Sequence, residues 1–258
     1  MDQKRRSFLK NAGCAALGLG CGFPLLGLGC SASKEGSGAD GFSTSQLAMI
    51  VDVKKCLKEE VQKACIDACN LAHNVPEITN PNHQIDWIKA EQREHVFPDQ
   101  THAHTAESVK ESPVLVLCNH CNKPPCVKVC PTAATWKREQ DGVVMMDMHR
   151  CIGCRYCMAA CPYGARSFNW SDPHFEKDRK LTDYPTREKG VVEKCTFCAE
   201  RIREGRPPAC VEAAAGALTF GDLADENSEV SKILRDGEKN TICRRVSLGT
   251  GPNVYYIV

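Results

Sequence analysis

Cysteine is the residue type that could carry chemistry in this sequence. The chain has 18 cysteines among 258 residues, far above the usage of an ordinary globular protein. Three of them lie near the N-terminus, at positions 14, 21 and 30. The others form four groups and one single residue: Cys56, Cys65 and Cys69; Cys118, Cys121, Cys126 and Cys130; Cys151, Cys154, Cys157 and Cys161; Cys195, Cys198 and Cys210; and Cys243. Thiols this close together either bind a metal centre or pair as disulfides, and their spacing distinguishes the two.

The third group has the spacing Cys151-x2-Cys154-x2-Cys157-x3-Cys161-Pro162, which is the run C-x2-C-x2-C-x3-C-P of bacterial ferredoxins. Three thiolates on one tight loop can hold three corners of an iron–sulfur cubane. A structural zinc usually takes two separated C-x2-C pairs, so this run holds too many thiolates for it. Disulfides between such neighbours would be strained, and no C-x2-C pair is followed by the histidine of a c-type haem site. The spacing therefore predicts 4Fe-4S clusters.

Three complete ligand sets follow from the exchange rule of two-cluster ferredoxins, in which the fourth cysteine of each run binds the cluster of the other run. Set A comprises Cys118, Cys121, Cys126 and Cys161; set B comprises Cys151, Cys154, Cys157 and Cys130; and set C comprises Cys195, Cys198, Cys210 and Cys69. The predicted cofactors are therefore three 4Fe-4S clusters, each bound by the four cysteines of one set.

A fourth set is incomplete. It would need three cysteines of the first group and one of the fourth, but eight residues separate Cys56 from Cys65, and Ala214 stands where the last cysteine should be. Both losses affect the same cluster, so we expect a site that was vacated as a unit, at one end of the relay. In an oxidising compartment, Cys56 is then expected to form a disulfide with Cys65 or Cys243. A three-iron cluster that includes Cys243 is the alternative.

The elements around the cysteines predict an α+β fold. Residues 134–137 and 143–146 flank an Asp141-Gly142 turn and predict a β-hairpin between the second and third groups. Residues 200–204 predict a short charged helix, and Asn227 is expected to cap a helix that ends at Gly237. Residues 252–258 predict a strand. We expect two nested bacterial-ferredoxin-like units with polar insertions, followed by a C-terminal helix and tail.

The predicted domain boundaries follow the cysteine groups. They are 1–33 for an export segment, 46–113 for the first part of the outer unit with an insertion, 114–169 for the inner unit, 170–225 for a second insertion and the rest of the outer unit, and 226–258 for the C-terminal helix and tail.

The N-terminus predicts export. Arg5 and Arg6 precede 23 uncharged residues, 11–33, which is the pattern of a twin-arginine signal. Six glycines make this stretch a poor transmembrane helix, and an uncleaved signal that anchors the chain is the alternative. The twin-arginine route carries folded proteins, so clusters loaded in the cytoplasm are compatible with a periplasmic protein. With 33 basic and 32 acidic side chains, the chain lacks the basic excess that nucleic-acid binding requires.

The sequence resembles the multi-cluster ferredoxin subunits of quinone-linked membrane oxidoreductases. The likeness runs from about residue 51 to 256 and rests on the order of the four groups and on these motifs: His73-Asn74-Val75-Pro76, Cys118-Asn119-His120-Cys121, Lys194-Cys195-Thr196-Phe197-Cys198 and Gly221-Asp222-Leu223. Residues 146–170 and the depleted outer groups are similar to the periplasmic iron–sulfur subunit of the menaquinol complex associated with dissimilatory sulfite reductase.

This resemblance implies an electron-transfer subunit with no catalytic residues of its own. Its implied partners are a polytopic quinone-reactive membrane subunit and a multihaem cytochrome c, in sulfite or sulfur metabolism. The alternative is the iron–sulfur subunit of a polysulfide-, tetrathionate- or nitrite-reductase-type complex. Two other classes stay open, namely an enzyme whose depleted outer site binds substrate and a binding protein stabilised by zinc or disulfides. His120 and His149 are expected at the surface or in packing, and His102 and His104 in solvent.

Overall fold

A four-stranded sheet joins the two ends of the chain. The structure is a computed structural model that describes residues 45–100, 102–173, 182–185 and 187–258. The sheet has the strand order β8-β1-β10-β9, with β1 at Leu47–Asp52, β8 at Leu218–Asp222, β9 at Thr241–Cys243 and β10 at Val254–Ile257. Strand β1 runs parallel to β10, with Met49 opposite Val254, and antiparallel to β8, with Met49 opposite Phe220. The predicted C-terminal strand is therefore present and completes this sheet.

Both faces of β1 are covered. Met49 and Val51 belong to the main core, whereas Ala48 and Ile50 pack with Val230 on the opposite face. Alternate side chains of a strand point to opposite faces, so this strand reads as a continuous apolar run rather than an alternating one.

Three antiparallel pairs surround the cysteine loops. They are β2 (Ile88–Gln92) with β3 (Pro113–Leu117), β4 (Thr135–Lys137) with β5 (Val144–Met146), and β6 (Ser167–Phe168) with β7 (Val192–Glu193). The β4–β5 pair is the predicted hairpin, and Gly142 in its turn has a φ of 71°. The stretch predicted only as a polar insertion contributes β2, which extends the buried strand β3.

The helices are short, except for the first. They are α1 (Glu59–Ala72), α2 (Arg93–Val96), α3 (Glu107–Lys110), α4 (Pro125–Lys128), α5 (Tyr156–Ala160), α6 (Ala199–Arg203), α7 (Ala209–Ala213) and α8 (Glu229–Asp236). Helix α6 matches the short charged helix expected from the sequence. Within the described part of the chain, no helix is both long enough and apolar enough to cross a membrane.

The cap of the C-terminal helix differs from the prediction. Ser228, and not Asn227, precedes the first turn of α8, while Gly237 follows its end at a φ of 65° as expected. The Asn227 N–H donates instead to the Asp225 carboxylate at 2.9 Å, so a local turn delays the start of the helix by one residue.

The architecture is α+β, with helices and small sheets interleaved along the chain. All described residues belong to one compact unit, 42–258. Its main core takes side chains from every predicted segment after the first, including Met49, Leu115, Phe197 and Tyr256.

Candidate cluster-binding site

Set B surrounds one cavity next to helix α5. The cavity is lined by all four of its cysteines, namely Cys130, Cys151, Cys154 and Cys157. The loop before α5 turns through Gly153, with a φ of 69°, and Arg155, with a φ of 61°. A Cβ at Gly153 would lie 2.3 Å from the Gly190 carbonyl oxygen, so only glycine fits there.

Cys130 reaches set B from the other ferredoxin run. Burial raises the pKa of this thiol, but the Thr135 N–H and the Thr132 hydroxyl lower it on balance. The surrounding donors thus favour the thiolate, which is the form that binds iron.

Set A surrounds a second cavity between β3 and α4. The cavity is lined by Cys118, Cys121, Cys126 and Cys161, together with Pro124, Pro125 and Pro162. Cys161 comes from the third group, as the exchange rule predicts. Burial raises the pKa of Cys161 first, and the nearby Cys118 thiolate raises it further.

Set C joins helix α1 to the loops around α6 and α7. Burial raises the pKa of Cys210 well above its usual value, and Cys69, Cys195 and Cys198 raise it further because all four thiols are close neighbours. Two backbone donors point at these sulfurs, the Phe197 N–H at Cys195 Sγ and the Ala209 N–H at Cys198 Sγ, each at 3.4 Å. Such donors stabilise a thiolate.

The structure therefore brings together the twelve predicted cysteines as three neighbouring groups of four. That each group binds a cluster stays a prediction of the spacing.

His120 offers an orphaned donor between sets A and C. It is fully buried, contrary to a surface role, and its ring stacks on Phe197 with the centroids 3.7 Å apart. Its Nδ1 accepts the Val144 N–H at 3.1 Å, so Nε2 carries the proton, and Nε2 has no hydrogen-bond partner among the described residues. Buried donors rarely stay unpaired. A sulfur acceptor, as an iron–sulfur cluster provides, would fit this position.

The remaining predicted histidines are exposed. His102, His104 and His149 all lie at the surface, in agreement with a solvated role for the first two.

His73 is a buried residue whose role the sequence reasoning missed. Its ring stacks on Trp87 at 4.2 Å, its Nδ1 lies 2.9 Å from the Cys69 carbonyl oxygen, and its Nε2 lies 3.1 Å from Glu200 Oε1. The His73, Cys198 and Glu200 ligand atoms lie within 4.8 Å of one another. Because Cys198 belongs to set C, these atoms adjoin that set and do not form a separate metal site. The available signal was the spacing of Cys69 and His73, one helical turn apart.

Lys194 is a second such residue. It has no exposed surface, and its ammonium donates to the Cys195 carbonyl at 2.7 Å and to the Val144 carbonyl. It thereby ties the loop of set C to the β4–β5 hairpin. Its position directly before Cys195 was the signal in the sequence.

The fourth site is packed with side chains. Cys56 lies in the 3-10 turn Lys55–Leu57 and Cys65 lies on α1, and both are fully buried beside Ala214 and Ala217. The Cys65 thiol donates to the Cys210 carbonyl at 3.5 Å. Burial raises the pKa of Cys56 to about 12 and that of Cys65 to about 11, so both are neutral thiols at ordinary pH.

The predicted disulfides are absent from this region. Cys56, Cys65 and Cys243 are free thiols, so the expectation of a Cys56–Cys65 or a Cys56–Cys243 bond was wrong for this structure. Cys65 is directed to a carbonyl of α7, and Cys243 lies opposite Tyr255 on the far strand of the sheet.

Comparison with known proteins identifies the relatives of this chain. The family described as a 4Fe-4S dicluster domain matches residues 114–183 and 181–223. The chain is 41% identical to the Hdr-like menaquinol oxidoreductase iron–sulfur subunit 1 of Archaeoglobus fulgidus, over 98% of this chain and 97% of that protein. It is 36% identical to the menaquinone reductase iron–sulfur cluster-binding subunit of Nitratidesulfovibrio vulgaris, over 81% and 87%. It is 31% identical to a tetrathionate reductase subunit of Salmonella typhimurium, over 100% and 89%.

Proposed function

The chain belongs to the family of multi-cluster 4Fe-4S subunits that contains these relatives, and on that premise we propose that it relays electrons through three clusters, bound by sets A, B and C. It is an iron–sulfur electron-transfer subunit of a menaquinol oxidoreductase-type complex and has no catalytic activity by itself. A 4Fe-4S cluster held by four thiolates takes up and gives back one electron.

The observation that carries this proposal is the grouping of the thiols. Two cavities are each lined by four cysteines that come from two separate runs, and four further cysteines are close neighbours in set C. The orphaned Nε2–H of His120 and the N–H groups aimed at Cys195 and Cys198 suit sulfur-rich cofactors.

Set A lies between the other two sets. On one side, His120 in the loop of set A stacks on Phe197 in the loop of set C. On the other side, burial and Cys151 raise the pKa of Cys157 in set B, and Cys126 of set A raises it further because the two sets adjoin. This order supports a relay that runs from set C through set A to set B.

Set B forms the end of the relay that reaches the surface. Cys154 is exposed, and the adjacent Ile152 and Tyr156 have 66% and 63% of their surface exposed. Large apolar side chains this exposed beside a ligand suit contact with a redox partner. The vacated site adjoins set C at the opposite end, because Cys65 contacts the Cys210 backbone.

Iron and sulfide analysis of the purified full-length chain tests the number of clusters. We expect about twelve irons per chain, three cubanes of four, and a visible absorption that bleaches with dithionite. About sixteen irons, or a resolved fourth cubane, would contradict the proposal of three clusters. A colourless, iron-free protein that is fully folded would contradict the proposed function.

The finer setting of the chain is also a proposal. The twin-arginine segment, which lies outside the described residues, supports a place on the periplasmic side of the membrane. We propose as partners a polytopic quinone-reactive membrane subunit and a multihaem cytochrome c, in sulfite or sulfur metabolism. Two nested ferredoxin-like units with the boundaries given above agree with the exchange between sets A and B.

A second candidate is the iron–sulfur subunit of a reductase complex. The likeness to the tetrathionate reductase subunit, which extends over the whole chain, favours it. Purification of the intact complex separates the two candidates, since a multihaem cytochrome would support the first and a molybdopterin subunit the second.

A further inference from the structure

Arg166 is a buried cation between sets A and B. Its side chain is 5% exposed and lines the cavity of set A. Its guanidinium donates through Nη2 to Thr135 Oγ1 at 2.9 Å and contacts Met146 Sδ through Nη1 at 3.7 Å. Thr135 and Met146 both line the cavity of set B. The guanidinium therefore lies in the wall that separates the two cavities.

No carboxylate compensates this charge. Among the described residues, none forms an ion pair with Arg166, whereas Arg187, the other arginine buried to this degree, pairs with Glu193 at 2.6 Å. An arginine side chain cannot shed its proton in a protein, and a buried charge needs a counter-charge. Burial opposes the charged form, but the thiolates of Cys126, Cys157 and Cys118 raise the pKa of Arg166 on balance. The negative charge that this cation faces is thus that of sets A and B.

Resting on the proposed function, we propose that Arg166 raises the reduction potentials of the two clusters held by sets A and B. When a cluster is reduced, one electron enters, no bond forms or breaks, and Arg166 keeps its proton. The reduced form carries one more negative charge, so a fixed cation in a buried wall stabilises it relative to the oxidised form. Net charge near a cluster is one of the determinants of its potential.

The position of Arg166 makes the effect local. One guanidinium contacts the linings of both cavities, so it acts on both clusters and reduces the repulsion between them when both hold an electron. Set C lies beyond set A, next to His120 and Lys194, and its cluster is expected to respond least.

An EPR-monitored redox titration of the full chain with its clusters tests this role. We expect Arg166→Gln to lower the midpoint potentials of two clusters and to leave the third near its wild-type value. Arg166→Lys keeps the charge and is expected to restore most of the shift. The matched control is Arg235→Gln, which removes an exposed arginine that pairs with Glu226 on α8 and should shift no potential.

Thr135→Asp is the second test, because it leaves Arg166 in place and sets a carboxylate beside its guanidinium. We expect it to lower the same two potentials. Unchanged potentials in Arg166→Gln at full iron content, an equal shift of all three clusters, or an equal shift in Arg166→Lys would overturn the proposal. If Arg166→Gln fails to bind iron, unchanged potentials in Thr135→Asp overturn it. Loss of iron from all three variants would show a role in assembly instead. A wild-type chain without clusters would contradict the proposed function, which is a distinct result.

Discussion

At the scale of the residue, the chemistry of the site depends on which thiols become ligands and which stay neutral. Cys130 is surrounded by hydrogen-bond donors that lower its pKa, despite its partial burial. Cys56 is buried without such donors, and its pKa rises to about 12. The same side chain thus serves as a predicted iron ligand in one place and as a small apolar core residue in the other.

Substitution of neighbouring cysteines in one run should damage different clusters. Cys157 lines the cavity of set B, and Cys161, four residues later, lines the cavity of set A. We expect Cys157→Ala to remove or convert the cluster of set B and Cys161→Ala that of set A, each with a loss of up to about four irons. EPR spectra of the reduced variants distinguish the two. Cys243→Ala is the control and should keep all the iron, whereas damage to the same cluster in both variants would contradict the exchange.

At the scale of the element, helix α1 serves the intact set C and the vacated site with two cysteines one turn apart. Cys69 approaches the other thiols of set C, while Cys65 faces the α7 backbone and the packed alanines. The short loops before α5 and α6 place the other ligands, through residues at positive φ such as Arg155 and Phe197.

A pair of substitutions on α1 should therefore separate ligand from core residue. We expect Cys69→Ala to lose the cluster of set C, because that site would keep three thiolates. Cys65→Ala should keep the full iron content and lose about 1–2 kcal/mol of stability from the small cavity it leaves. Iron analysis and thermal unfolding measure the two effects. Iron loss in Cys65→Ala would show that the fourth site still binds metal.

The loop of set B should be sensitive to one glycine and tolerant at another. Gly153 and Gly164 both have positive φ, at 69° and 62°, but only Gly153 has a backbone carbonyl where a Cβ would lie. Gly164→Ala should cost about 1–2 kcal/mol from its backbone conformation alone. Gly153→Ala should cost more and also disturb the cluster of set B, visible as a changed EPR signal. Equal effects of the two alanines would contradict this assignment of the steric contact.

At the scale of the whole molecule, the proposed relay has one exposed and one packed end. Set B reaches the surface beside Ile152 and Tyr156, and the vacated site adjoins set C. A gap at an end shortens a relay, whereas a gap between two sets would interrupt it. The proposed export of the folded chain is consistent with clusters that must be inserted before the chain leaves a reducing compartment.

The export proposal has a direct test. Arg5→Lys combined with Arg6→Lys should leave the cluster-loaded protein in the cytoplasm, because the twin-arginine route requires that pair. Cell fractionation with iron analysis of each fraction measures the outcome. Lys4→Arg combined with Lys10→Arg keeps the charge and the pair, and should be exported normally. Normal export of the first double variant would defeat the targeting argument.

The sequence by itself determined the cofactor class, the three sets and the hairpin between the inner groups, because cluster ligation and tight turns depend on local spacing. It also indicated the C-terminal helix and strand. Only the tertiary structure decided what surrounds the cysteines. The pairing of β2 with β3, the burial of His73 and His120, and the place of Arg166 between two cavities all bring together residues that are distant in sequence. The predicted disulfides were wrong for the same reason, since the direction of each thiol depends on packing, which a count of cysteines does not contain.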